Sequence, residues 1–187
     1  MAYKDINQEE IEELVVEAKQ GDTASFAKIY DLFVDTIYRY IYFKVGKEEA
    51  LDLTETVFLK IWENLKSYHR SGSYFSAWIF RIAHNIVVDH YRLKRENLSL
   101  DMDLPDEKRQ HNPIILTEQK ISHELLYKAI AQLKKKYQQI IILKYINELD
   151  NGEIAAILRR SEGSLRILKF RALKALKLVL EQMNIFY

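Results

Sequence analysis

The chain contains no cysteine in its 187 residues, which excludes disulfides and thiolate metal sites outright. Five glycines and two prolines are too few to punctuate a strand-and-turn protein, so helices are predicted throughout. No apolar run approaches the ~20 residues a membrane-spanning helix requires, and no membrane insertion is expected. The opening stretch, MAYKDINQEEIEELVVEAKQ, is acidic and polar and does not read as a signal peptide. Together these point to a soluble, cytoplasmic protein. Catalytic signatures are missing too. The five histidines, at 69, 84, 90, 111 and 123, include no two at i, i+4 with a carboxylate to complete a metal-binding pair. There is no glycine-rich phosphate loop and no Ser or Cys nucleophile context. No enzyme, cofactor or metal is expected.

A net charge of +1 hides a strong segregation. Residues 1–66 carry 8 bases and 14 acids, 67–95 carry 5 and 1, 96–120 carry 3 and 6, and 121–187 carry 12 and 6. Two basic blocks alternate with two acidic ones, the pattern of two polyanion-facing surfaces separated by two surfaces of another purpose. Solvated helix faces are the alternative, and aromatic residues in both basic blocks weigh against it.

Hydrophobic periodicity predicts a helix over 9–20, a second from Ser25 to Val45, a third over 48–66 and a fourth from Phe75 to Lys94. Asp22 or Thr23 can cap the second. The third is expected to bury Leu51, Thr54, Phe58, Ile61, Trp62 and Leu65. Residues 95–120 lose the period and hold both prolines, Pro105 and Pro113, as a linker does. A second helical unit runs from about Ser122 onward and is small enough to be marginally stable alone.

In NGEIAAILRRSEGSLRIL the second unit carries a helix-turn-helix pattern. Ala155 suits the crossing, Ile154 and Leu158 face inward, Leu165 locks the second helix and Ser161 is its N-cap. Arg159 stands where such turns usually carry glycine. A left-handed arginine costs roughly 1–2 kcal/mol, which points to a turn built differently. On the following helix Leu165, Leu168, Ala172, Ala175, Leu176 and Val179 share one face, with Lys169 forced to reach outward from it. Arg166, Phe170, Lys174 and Lys177 share another, with Arg171 at its edge. Seven cations against one acid over 159–177 leave most of that charge uncompensated, as a phosphate-binding helix requires. Ser164, Arg166 and Phe170 are candidate base readers, and Arg171, Lys174 and Lys177 fall near the backbone. A helix packed on an acidic partner protein is the competing reading.

The fourth helix, YFSAWIFRIAHNIVVDHYRLKR, mixes aromatics with cations, the combination that binds single strands. Trp78 and Ile82 read as core, whereas His84, Asn85 and Tyr91 do not.

These three stretches, with EEALDLTETVFLKIWENLKSY before them, resemble the bacterial sigma-70 family, in the two-domain layout of its short extracytoplasmic-function (ECF) branch. The resemblance implies an all-α fold of two small helical domains joined by a flexible linker: sigma region 2 in 1–95, a linker in 96–120 and sigma region 4 in 121–187. It implies an alternative sigma factor that binds core RNA polymerase, at the clamp helices and flap, and promoter DNA. Asp52, Leu53, Glu55, Phe58, Leu59 and Trp62 match the polymerase-docking helix. Trp78, Arg81, His84, Asn85, Tyr91 and Arg92 match the −10 melting surface, with Asn85 lining a flipped-base pocket. Arg160, Ser164, Arg166, Phe170, Arg171 and Lys174 match the −35 reading surface. Asp101, Asp103, Asp106 and Glu107 in the linker would face basic channel walls, or be a solvated tether. LKKK replaces the family's LPER at the start of the second domain and so removes a turn-setting proline. An anti-sigma partner is expected. The competing class is a stand-alone helix-turn-helix transcriptional regulator, whose first bundle would sense or dimerise.

Overall fold

The computed structural model describes residues 6–70, 74–100 and 118–183, with side chains described except at 97–100 and 118–123. Among these residues every regular element is helical. Helix α1 (Gln8–Lys19) begins at Asn7, whose side chain accepts from the Glu10 amide at 2.8 Å. Helix α2 (Thr23–Val45) is capped by Asp22, which accepts from the Ala24 and Ser25 amides; the Ser25 hydroxyl, donating to it at 2.7 Å, and then the Ala24 amide hold its carboxyl below the usual carboxylate range. Gly46, at φ 93°, turns the chain directly into α3 (Lys47–Asn64). A β-carbon there would also lie 3.2 Å from the Tyr127 hydroxyl, so two independent constraints select glycine.

Helix α3 ends in a 3₁₀ turn, Leu65–Ser67, and α4 runs over Phe75–Leu100. It therefore continues past Lys94, where the periodicity predicted its end. Helix α5 (Glu118–Ala131) likewise starts before Ser122. Asp101, Asp103, Pro105, Asp106, Glu107 and Pro113 lie outside the described residues. Helix α6 (Lys135–Ile141) passes into a π turn, Ile142–Ile146, followed by α7 (Asn151–Leu158) and α8 (Glu162–Gln182). The turn into α6 has no proline. Instead the Gln138 amide donates to the Ala131 and Leu133 carbonyls, both at 3.0 Å, satisfying orphan acceptors at the end of α5.

Helices α1–α4 enclose an aromatic core. Phe33 meets Phe75 edge-on at 5.9 Å, Tyr40 meets Phe80 at 5.3 Å, and Tyr68 meets Phe75 at 5.0 Å. Each such buried ring is worth roughly 1.5–3 kcal/mol of transfer free energy. Tyr68 also donates to Glu12 at 2.7 Å, and its carbonyl accepts from Lys19 at 2.7 Å, pinning α1 to the 3₁₀ turn. The core of α5–α8 is aliphatic, built on Ile130, Ile140, Ile142, Leu143, Ile154, Leu165 and Leu168.

The two units are in contact, and their buried residues form one continuous cluster. Helix α4 packs on α7, and the end of α2 packs on α5 and the π turn. At the α4–α7 contact the Ser76 hydroxyl donates to Glu153 at 2.7 Å with both residues buried. The other oxygen of Glu153 accepts from the Asp150 amide at 3.1 Å, while Asp150 accepts from the Glu153 amide at 2.7 Å. One carboxylate thus closes the capping box of its own helix and ties that helix to the other unit. Tyr74 lies over Gly152, where a β-carbon would come within 3.0 Å of its hydroxyl. The charge of Asp150, ahead of burial, raises the Tyr74 phenol above its usual value.

Candidate nucleic-acid interface

The helix-turn-helix forms as the pattern requires. Ile154 and Leu165 are fully buried, Ala155 and Leu158 partly so, and the Ser161 side chain accepts from the Ser164 amide at 3.4 Å. The turn at Arg159 differs from the expectation drawn from its side chain. Arg159 does adopt the left-handed conformation, φ 51° and ψ 50°. The reason is the carbonyl of Ala155, which accepts from the Arg160 amide at 3.0 Å and also from the Arg159 amide. Such closure satisfies a helix-end acceptor and offsets the steric cost of a β-carbon there. Arg159 itself is exposed, so its long side chain meets nothing in the turn.

Helix α8 separates its faces as predicted. Leu165, Leu168 and Ala172 are buried, and Arg160, Arg166, Phe170, Arg171 and Lys174 are exposed, with Phe170 at 69%. Ser164 is half-buried, and its hydroxyl donates to the Ser161 carbonyl at 2.8 Å, so it serves the helix start first. Lys169 reaches away from the apolar face to Asn151 at 3.0 Å. Lys177 lies 3.7 Å from Glu181. Arg166, Arg171 and Lys174 have no ion pair among the described residues. The outer face also carries Ile167 (55% exposed) and Leu178 (52%), which the wheel did not single out.

On α4, Trp78 is half-buried and stacks on Phe75 at 5.6 Å, so it belongs to the core edge, as does Ile82. Arg81 folds back to the Ala77 carbonyl at 3.3 Å. Asn85 is exposed. His84 accepts or donates at 3.3 Å to Tyr40, and burial, then the charge of Lys44, lowers its imidazole pKa. Tyr91 donates to the Lys44 carbonyl. Arg92 sits 3.5 Å from Asp89 and 4.0 Å from Glu96. His84 and Tyr91 both line a cavity whose far wall is α5 and α6, so they face the second unit while Asn85 faces outward.

The third set occupies α3. Asp52, Glu55, Leu59 and Trp62 are exposed on one face, Leu53 is half-buried, and Phe58 is only 4% exposed against Tyr30, ring centres 4.6 Å apart. Phe58 therefore supports this face from beneath. Leu51 and Trp62, expected on the buried stripe, are 59% and 40% exposed. The 100° step places Leu51, Asp52, Glu55, Leu59 and Trp62 within one arc, an apolar seam with acids along it.

Two family models match the chain, "Sigma-70 region 2" over residues 29–96 and "Sigma-70, region 4" over 123–176. The ECF RNA polymerase sigma factor SigW of Bacillus subtilis (strain 168) is 30% identical over 178 residues, 89% of this chain and 95% of that one. This chain belongs to the sigma-70 family, in its ECF branch. The ECF RNA polymerase sigma factor BldN of Streptomyces coelicolor is 32% identical over 88% of this chain, although the match spans only 63% of BldN. The fold matches that of the sigma factor RpoE from Bartonella quintana, solved with the anti-sigma factor NepR, at a TM-score of 0.68 and 20% identity, covering 83% of this chain and 96% of that one. The first match lies within α2–α4 and the second within α5–α8, and all three residue sets lie inside the matched stretches. Among the described residues no helix is long and apolar enough to cross a membrane.

Proposed function

We propose that this sigma factor divides promoter use among three helices. The outer face of α3 docks on core RNA polymerase through Leu51, Asp52, Glu55, Leu59 and Trp62. Helix α8 enters the major groove of the −35 element, with Arg166, Phe170 and Arg171 at base edges and Arg160 and Lys174 on phosphates. Helix α4 holds the melted −10 strand, with Asn85 in contact with a flipped base and Arg92 on the backbone. The observation that carries this reading is the exposed cationic face of α8 behind a formed helix-turn-helix, coupled in one chain to an aromatic helix bearing an outward Asn85.

The protein itself performs no covalent chemistry in this scheme. Phosphate neutralisation and base contacts offset the few kcal/mol, roughly, that unstacking a base costs. The first domain closes with α4 and the second opens with α5, so the linker is shorter than 96–120 at both ends, and the second domain engages the polymerase flap. Because His84 and Tyr91 face α5 and α6, their use on DNA requires the two units to part. The work takes place in the cytoplasm, and an anti-sigma protein restrains it, as NepR pairs with the Bartonella quintana sigma factor.

The test is run-off transcription with purified core polymerase, combined with permanganate footprinting. Arg166→Ala should weaken −35 use by about tenfold or more, the value of a lost bidentate base contact. Asn85→Ala should leave duplex binding intact and abolish permanganate-reactive thymines. Normal melting in the Asn85 variant removes that residue from the pocket. A chain that neither co-elutes with core polymerase nor directs its start site is instead a free-standing regulator.

A further inference from the structure

Where the two units meet, α2, α4, α5 and α6 enclose a cavity of about 410 Å³. Three cations converge on it from three helices: Lys44 from α2, Arg95 from α4 and Lys135 from α6. Among the described residues no carboxylate lines it. None of the three cations has an ion pair among the described residues. The remaining wall is mostly apolar and aromatic, with Phe43, Val87, Tyr91 and Tyr127, and its polar groups are His84, Gln138 and Gln139. Beside it along α4 lies a groove of about 590 Å³ that Tyr91, Arg95 and Lys135 also line, together with Arg92 and Glu96.

We propose that this cavity binds a small phosphorylated ligand of nucleotide size, its phosphates on Lys44, Arg95 and Lys135 and its planar part between Tyr91 and Tyr127. Like charges brought together by the docking of two units repel, and an anion is the chemistry that relieves this. Phosphate accepts charge-assisted bonds from all three at once. The volume lies in the range of small-molecule sites, and the mixture of apolar wall with a few convergent charges is their usual composition. Because the wall comes from both units, the ligand binds only the docked arrangement and stabilises it by mass action.

Lys44 supports the assignment. Burial, with Lys135 adding to it, lowers its ammonium pKa to about 8. The titratable and charged groups around it are Tyr40, His84, Tyr91, Arg95, Tyr127 and Lys135. Glu49, whose charge reaches the Tyr91 and Tyr127 phenols, is engaged by Lys94 at 3.0 Å and His90 at 4.0 Å, and Glu96 lines the adjoining groove. An anion favours the charged ammonium, so its affinity should fall as pH rises above about 8.

The experiment is isothermal titration of the free full-length chain with inorganic pyrophosphate and with adenosine triphosphate, at fixed low salt. Neither polymerase nor DNA is present, so failure here leaves the promoter reading untouched. Saturable 1:1 binding is expected, tighter for the nucleotide than for pyrophosphate. Lys135→Gln, at an exposed position, should weaken it by about tenfold, the loss of one charge-assisted bond, and Lys44→Met should do the same. Arg166→Ala on α8 should leave it within about twofold, as expected for an independent site. Non-saturable binding overturns the proposal, as does binding that Arg166→Ala abolishes and Lys135→Gln spares, which would place the anion on the DNA-facing helix.

Discussion

The two units solve the same problem, packing short helices, with different materials. The first buries Phe33, Tyr40, Phe75 and Phe80 in ring-to-ring contacts, all at or below 1% exposure. Among the described residues the second has no aromatic side chain that is fully buried and relies on an isoleucine run, Ile140 to Ile142, with Leu143. Rings bury more apolar area per residue than branched aliphatics, so the first unit has the material to stand alone. The second gains its missing burial by docking: Tyr127 lies against Tyr42 and Phe43, and α7 lies against α4. On the proposed reading, part of the α4 surface offered to DNA, at His84 and Tyr91, is thereby covered by the protein's own other half. The lesson is that the stability of one unit and the proposed work of the other pull in opposite directions. The second unit's burial favours contact with the first, whereas the proposed use of His84 and Tyr91 on DNA requires release.

The sharpest break of this comparison is to damage each core in turn. Phe33→Ala and Ile142→Ala should each cost about 2–5 kcal/mol. Trp62 and Trp78 both report on the first unit, whereas circular dichroism averages both. In urea the wild-type curves should coincide, and Ile142→Ala should shift the tryptophan midpoint as well as the dichroism. A tryptophan curve indifferent to Ile142→Ala means that the units unfold independently.

Next is the contact itself. Glu153→Ala removes a helix cap and leaves the Ser76 hydroxyl buried and unpartnered, costing about 1–3 kcal/mol. The double-mutant cycle with Ser76→Ala should return a coupling energy of about 0.5 kcal/mol or more, and additive effects would show that the α4–α7 bond adds no stability. A smaller effect tests the turn without proline. Gln138→Ala exposes two carbonyls at the end of α5 and should lower the midpoint by about 1 kcal/mol of stability. The smallest runs the other way. Arg159→Gly relieves a left-handed arginine and should stabilise by up to about 1 kcal/mol, less the entropy glycine adds to the unfolded chain, measured as a rise in Tm.

Much of this protein was legible in its residues because helical faces announce themselves at fixed spacing. The α8 division between Leu165, Leu168, Ala172 and the exposed Arg166, Phe170, Lys174 follows from a 100° step alone. The caps at Asp22 and Ser161 follow from the need of the first amides for an acceptor. Periodicity failed where a stripe was wider than the space available to bury it. Leu51 and Trp62 lie on the apolar stripe of α3 yet are exposed, because α2 and α4 cover only part of that helix, and they belong to the face proposed for docking. It failed at helix ends as well. Nothing in the repeat predicts that α4 passes Lys94, since polar residues there neither demand nor forbid another turn.

What the sequence determined by itself, then, was local: which segments are helical, which side of each is apolar, where charge of one sign collects, and membership in a family that joins those parts. What only the tertiary structure decided was mutual. Glu153 serving two helices, Gly46 yielding to Tyr127, and Lys44, Arg95 and Lys135 sharing one cavity all pair residues that are dozens of positions apart. No periodicity connects them, because the forces concerned act across space between packed surfaces and carry no signature along the chain.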